Sequence, residues 1–211
     1  MALTVSEAIA QRRATRQYKD APIPDETLDL IVNNALEAPS AFNAQMRDLV
    51  VVRDQAVKQA IFDASGQQQF LDAPVVFVVV GRSEVVPEDA EEILGAELTE
   101  KVRGFNGSAS AAKLREIGIR DAMLVAGFLL LAAQEQGLST SPTTGWNEDG
   151  VKKAIGLEGR DDRSIALVIA AGYADEDPEH PGRAMSRRVD DKYSSPLNLL
   201  KSPMFHVKHR V

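Results

Sequence analysis

The sequence predicts an α+β domain, and three features carry that expectation. Two near-continuous apolar runs, Pro74 to Gly81 (PVVFVVVG) and Ser164 to Ala171 (SIALVIAA), are rich in β-branched residues and read as strands buried on both faces. Between them, Arg120 to Gln136 is apolar almost all round, the pattern of a buried helix, and Gly137 closes it as a C-terminal stop. The strands are too few and too unevenly spaced for a doubly wound nucleotide-binding sheet. Neither G-x-G-x-x-G nor G-x-x-x-x-G-K-[ST] occurs in the chain.

From the N-terminus, Val5 to Gln11 reads as a helix: Val5, Ala8, Ile9 and Arg12 recur at helical spacing, so one face is apolar and Arg12 continues it. Arg12-Arg13-Ala14-Thr15-Arg16 then crowds three guanidiniums into five residues, with Arg13 and Arg16 on one helical face. Pro24 opens the next helix, Asp25 and Glu26 favour its first turn, and Leu28, Ile31, Val32 and Ala35 carry its apolar face through to Ala38 before Pro39 stops it. Asp48 to Arg53 reads as a strand and Gln55 to Ala64 as a short helix. Pro87 to Gly107 is acidic, then interrupted by glycine, and predicts a helix followed by a mobile loop. The stretch Glu97–Lys113, with Gly104, Gly107, Ser108 and Ser110, reads as a loop. Leu138 to Thr144 predicts a strand and Glu148 to Ile155 a helix. Residues 1–175 thus form the core. Residues 176–211 are a polar tail broken by Pro178, Pro181, Pro196 and Pro203, expected to pack on a partner subunit.

The length of 211 residues, with 44% hydrophobic and 26% charged, suits one sizeable domain. A net charge of −7 argues against nucleic acid as a general partner, which needs a basic face. The chain has no cysteine, which excludes disulfides, thiolate zinc sites and a catalytic thiol. Glu7, Gln11 and Arg12 stand where a signal peptide needs an apolar core, and the longest apolar run, Ala122 to Ala133, is short of the ~20 residues that span a bilayer. A cytoplasmic protein without a membrane partner is expected. His180, His206 and His209 all lie in the tail with no carboxylate placed beside the last two, so no metal site is expected.

Clustered arginines repel one another, so an anion belongs against them. Arginine's planar fork suits phosphate oxygens, which points to a phosphate-bearing cofactor, with surface ion pairs as the alternative. A second stretch, Pro39-Ser40-Ala41-Phe42-Asn43-Ala44-Gln45, follows the end of a helix and must turn. Its polar side chains either brace that turn or offer donors and acceptors to a flavin edge or phosphate.

Together the two stretches resemble the nitroreductase family of FMN-dependent oxidoreductases. The resemblance extends to Gly66-Gln67-Gln68-Gln69-Phe70-Leu71-Asp72-Ala73-Pro74 leading into an apolar strand, to Gly145-Trp146 after the central helix, to Ile155-Gly156-Leu157, and to Arg187-Arg188 near the C-terminus. Two positions depart from the family pattern: Ala14 stands where many members carry Ser, and Met46 where Pro is usual.

The resemblance implies a sandwich with a small, mostly antiparallel sheet between helical layers, assembled as an intertwined homodimer with FMN at the subunit interface. It implies cofactor contacts from Arg12, Arg13, Ala14, Arg16, Pro39, Ser40, Ala41, Asn43, Gln45, Gln67, Thr144, Gly145, Arg187 and Arg188. Arg12 and Arg16 would reach the phosphate and ribityl end or the pyrimidine edge, Arg13 the N1/O2 edge, and Arg187 and Arg188 the phosphate. The Gly145 N–H would face N5, whereas the residues alone favour a plain turn glycine. Trp146 either stacks near the cofactor or anchors the core. No side-chain catalyst is required. The implied activity is ping-pong transfer of hydride from NADPH or NADH through FMN to an electron-poor small molecule such as a nitroaromatic, quinone or activated carbonyl or alkene. A flavin-binding sensor or carrier, or a relative with other flavin chemistry such as flavin breakdown or dehalogenation, is the alternative; such relatives tend to have a substrate lid, for which the Glu97–Lys113 loop is the candidate.

Overall fold

The computed structural model describes residues 3–182. The chain divides into a unit over Met1–Pro178 and a second over Glu179–Val211. In the described part of the second, the Gly182 N–H donates to His180 Nδ1 at 2.9 Å. Arg187 and Arg188, with most of the expected tail, lie outside the described residues.

The first unit is built on a four-stranded antiparallel sheet: β1 (Arg47–Val52), β2 (Val75–Arg82), β3 (Ser139–Thr143) and β4 (Arg163–Gly172), in the order β1-β2-β4-β3. The two apolar runs are the central strands, β2 and β4, which is why they lack a polar face. Alternate residues serve two cores. Val75, Phe77 and Val79 of β2, with Leu167, Ile169 and Ala171 of β4, pack with helices α2 (Asp25–Leu36) and α7 (Ala111–Glu135). Val76, Val78 and Val80, with Ile165, Val168 and Ala170, face Ile61 of α3 (Gln55–Ser65), Phe70 of α4 (Gln69–Asp72) and Val151 of α8 (Glu148–Ala154). Ile165 changes face because the register slips between Val79 and Val80: Val79 pairs with Leu167, Val80 with Ile165, and Ala166 is the bulged residue. A sheet between helical layers is therefore what forms.

Side-chain caps set several helix starts. In α1 (Val5–Gln11) Thr4 and Glu7 form a reciprocal capping box. Asp54, Ser110 and Asn147 accept backbone N–H bonds at the starts of α3, α7 and α8. At the other end of α7, Gly137 takes φ 75° and the Leu138 N–H donates back to the Ala133 carbonyl at 2.9 Å.

Two expectations need correction. The long helix starts at Ala111, nine residues before Arg120, because Ser110 caps it and Gly118 within it packs directly on β2. The Glu97–Lys113 stretch is not a loop: α5 (Ala90–Leu94) and α6 (Ala96–Asn106) precede a short link, and Gly104 sits inside α6. The Asn106 amide donates to the Val85 carbonyl at 2.8 Å and fixes the end of that excursion. Among the described residues no helix is long and apolar enough to cross a membrane, and no group of three or more His, Asp or Glu side chains is placed to hold a metal ion.

Candidate functional site

The arginine cluster is not helical. Gln11 ends α1, Arg12 turns to φ −55°, ψ 129°, and the chain runs out extended. Ala14 bridges Thr140 of β3 in parallel, with the Thr15 N–H on the Thr140 carbonyl at 3.1 Å. Extended backbone alternates sides, so Thr15 is buried while Ala14 and Arg16 are exposed. Arg13 and Arg16 therefore do not share a helical face. The Arg13 guanidinium folds back, its Nη1 donating to the carbonyls of Ala10 at 2.7 Å and Arg12 at 2.8 Å, where a cation meets the negative end of α1. Arg12 is half-buried.

Contacts with Ala170 and Glu176, far along the chain, hold this segment in place. The Glu176 carboxylate accepts the backbone N–H groups of Arg16 and Gln17. The Tyr18 hydroxyl donates to the carbonyls of Thr15 at 2.7 Å and Ala170 at 3.2 Å. Burial first, and Glu176 second, push the Tyr18 phenol well above its ordinary range, so it stays a donor.

The Gln67 region meets the same strand. Gly66 ends α3 at φ 67°, and the Gln69 amide then donates to Gln67 Oε1 at 3.0 Å and to Thr143 Oγ1 at 3.4 Å. Thr144 and Gly145 continue from β3 as exposed backbone, and a Cβ built on Gly145 meets no protein atom within 4 Å. Trp146 packs against both apolar cores and is an anchor. Asn147 caps α8, and its own N–H reaches the Ala64 carbonyl at 2.8 Å. The structure thus gathers Arg12–Arg16, Gln67 and Thr144–Gly145 around β3.

The Pro39–Gln45 turn is elsewhere. It precedes β1, at the opposite edge of the sheet, three strand spacings or about 14 Å from β3. It is also displaced along the strands: Arg47 is level with Gly81 and Ser164, whereas Thr140 is level with Ala171, roughly 20 Å further along β4. One chain therefore brings the predicted residues together in two separate halves.

The turn's backbone is unusual. Phe42, Asn43 and Gln45 take φ of 58°, 57° and 51°, a left-handed conformation that costs a non-glycine residue on the order of 1 kcal/mol or more. Ser40 Oγ accepts the Gln45 N–H at 3.0 Å across the turn. Arg47 Nη2 donates to the carbonyls of Leu36 at 2.7 Å and Ala38 at 2.9 Å, the end of α2. The Met46 N–H donates to Asp121 Oδ2 of α7 at 3.1 Å. Burial raises the Asp121 carboxyl above its ordinary range, with the Met46 N–H and Arg47 partly opposing it. Phe42 and Phe105 of α6 meet edge to face, ring centroids 5.9 Å apart, so the helical excursion touches the turn. Asp121, Arg47 and Glu176 are the site-supporting residues that sequence reasoning missed. Arg47 is one residue past the Met46 departure, but nothing local marks its role.

Taken together, the two halves carry the chemistry that an FMN requires. The guanidiniums of Arg12, Arg13 and Arg16 and the hydroxyl and amides of Ser40, Asn43, Gln45 and Gln67 are the donor and acceptor set that a phosphate, ribityl chain and flavin edge require. The open approach at Gly145 leaves its backbone accessible to a flat ring.

Comparison with known proteins agrees with the fold and the motifs. The family model described as Nitroreductase family matches residues 9–173. A Thermus thermophilus protein named NADH dehydrogenase is 30% identical over 189 residues, covering 84% of this chain and 91% of its own. The FMN reductase [NAD(P)H] of Bacillus subtilis is 29% identical over 142 residues, 65% of this chain and 53% of its own. A crystal structure from Exiguobacterium sibiricum, provisionally named a nitroreductase and solved in complex with FMN, superposes with a TM-score of 0.79 at 23% identity, covering 87% of this chain and 94% of that one.

Proposed function

This chain belongs to the nitroreductase family, and from that premise we propose that it is an FMN-dependent oxidoreductase that moves reducing equivalents from NADPH or NADH to an electron-poor small molecule. The observation that carries the reading is the convergence of Arg12–Arg16, Gln67 and the Thr144–Gly145 backbone on β3, beside a ring-accessible glycine.

Two copies of the chain complete the site in this reading. The Pro39–Gln45 half lies at the far edge of the sheet, so a second molecule supplies it. An apolar stripe of Met123, Leu124 and Phe128 is exposed on α7, with Val5 and Ile9 exposed on α1; a second copy covers them. Arg187 and Arg188, in the 176–211 tail, would add two guanidiniums to the phosphate.

When bound, FMN would supply hydride transfer between a nicotinamide donor and, in a second half-reaction, a nitroaromatic, quinone or activated carbonyl or alkene acceptor. The chain's residues bind and tune. Arg12 and Arg16 neutralise the phosphate and hold the ribityl or pyrimidine end. Arg13 sets positive charge at the N1/O2 edge, favouring the reduced state. The Gly145 N–H is offered toward N5, and Ser40, Asn43, Gln45 and Gln67 fix the ring's orientation through their polar groups.

An anaerobic visible spectrum of the protein incubated with FMN and desalted, taken before and after NADPH and then NADH, tests this. A retained flavin band that bleaches with either nucleotide is expected. A band that persists with both identifies a flavin carrier or sensor, and absence of flavin overturns the cofactor assignment.

A further inference from the structure

The Pro39–Gln45 turn holds three non-glycine residues at positive φ within four positions, and such backbone persists only where its surroundings over-determine it. Local hydrogen bonds close the turn on itself: Asn43 N–H to the Ser40 carbonyl at 3.1 Å, Ala44 N–H to the Ala41 carbonyl at 3.0 Å, and Gln45 N–H to Ser40 Oγ. They do not fix where it points. Direction comes from its two stems and from Phe42, whose ring rests on Phe105 of α6. The entry stem, at the end of α2, is held by Arg47 Nη2 through the Leu36 and Ala38 carbonyls. The exit stem is held at both faces of Met46: its carbonyl accepts the Arg82 N–H of β2 at 3.0 Å, and its N–H donates to Asp121 Oδ2, a bond across 75 residues of sequence to the middle of α7.

Asp121 is 6% exposed on a helix whose neighbouring positions, Ala122 and Val125, belong to the apolar core. A buried carboxylate is a poor device for stability alone, since desolvation opposes it; it is well suited to fixing one direction. The positive charge of Arg47 on β1 and the Met46 N–H from the turn both favour its ionised form.

We propose that Asp121 is a positioning residue for cofactor binding: through the Met46 N–H, it fixes the orientation in which the Pro39–Gln45 turn presents Asn43 and Gln45. This rests on the FMN reading above, but the bond and its effect on the turn exist without the cofactor. The main-chain N–H is essential to the device, and a proline at position 46 would abolish it.

The test compares Asp121→Asn, Asp121→Leu, Met46→Pro and the Asp121→Leu/Met46→Pro double variant, each as the full chain. Hydrogen exchange of the 41–47 amides is measured in FMN-free protein, and FMN affinity by flavin fluorescence titration. Asp121→Leu and Met46→Pro should each accelerate exchange in the turn and weaken FMN binding about tenfold, the scale of one charge-assisted hydrogen bond. Asp121→Asn keeps an acceptor and should stay within about twofold of the parent. The double variant should be no worse than the poorer single one, because both break the same bond. Equal loss in Asp121→Asn and Asp121→Leu, multiplied losses in the double variant, or unchanged turn exchange in Asp121→Leu would overturn the proposal. Should Asp121→Leu not fold, Met46→Pro against Asp121→Asn decides it. Failure of the parent itself to bind FMN would sink the cofactor reading, and the exchange measurement would still judge the Asp121 contact.

Discussion

Gly81 and Gly118 lie backbone against backbone where α7 crosses β2. A Cβ on Gly81 would sit 2.7 Å from the Gly118 carbonyl carbon, and one on Gly118 would overlap the backbone of Arg82. No side chain can move aside there, because the obstacles are main-chain atoms. Gly118→Ala is therefore expected to lower stability by about 1–3 kcal/mol through overpacking. Gly104→Ala, inside α6 with nothing within 4 Å of its Cβ, should instead be neutral or stabilising by up to about 1 kcal/mol. Paired urea denaturation curves check both, and equal effects would show that the close crossing is not what matters.

At the start of β4, Asp162 accepts from Arg160 at 2.6 and 2.7 Å and from Arg163 Nη1 at 2.6 Å. The Arg160 bond is the main reason that its carboxyl falls to about 2. A depressed folded-state value means that the unfolded chain takes up a proton first. The stabilisation is thus present above the ordinary aspartate range and is lost as pH falls from about 4 toward 2. Asp162 is partly exposed, so solvent screens the gain to a modest size. Asp162→Asn should reduce the melting temperature at pH 6, with the gap to the parent closing on acidification. A gap that stays constant with pH would remove charge from the explanation.

Arg13 already meets the carbonyls of Ala10 and Arg12, which fixes where its charge sits. Arg13→Ala should lower the potential of bound FMN by roughly 30–60 mV, the equivalent of one hydrogen bond to a charged group. Spectroelectrochemistry measures it, and an unchanged potential would take Arg13 away from the N1/O2 edge.

Phe128 is 42% exposed in the apolar stripe of α7. If α7 carries the proposed pairing, the parent should sediment as a dimer, and Phe128→Glu should shift it to monomer and weaken FMN retention in parallel. Loss of the dimer with full flavin binding would show that one chain suffices for the site.

The central strands are legible to within a residue or so because β-branched apolar runs of that length have few other fates. The excursion over α5 and α6 is not, since the α6 sequence AELTEKVRGFN is polar and carries a glycine, and a tertiary bond from Asn106 to Val85 anchors its end. The site divides in the same way. Its motifs stand out as residue types at fixed spacing, whereas Asp121 and Glu176 reach Met46 and Arg16 across 75 and 160 residues. The extended path of Arg12–Arg16 was hidden because the helical period of α1 runs on through Arg12, while the pairing with Thr140 that straightens it is tertiary. That the two motif stretches lie on opposite edges follows from strand order, which hydrophobic pattern alone does not encode.

Strand order also has a genetic consequence. In the proposed pair, each catalytic centre takes its arginine half from one molecule and its turn half from the other. A variant unable to hold FMN through its Arg12–Arg16 half and another unable to hold it through its Pro39–Gln45 half would each be inactive alone. Co-expressed, they would form mixed pairs in which one centre inherits both faults and the other inherits neither, so two dead alleles would restore activity to each other.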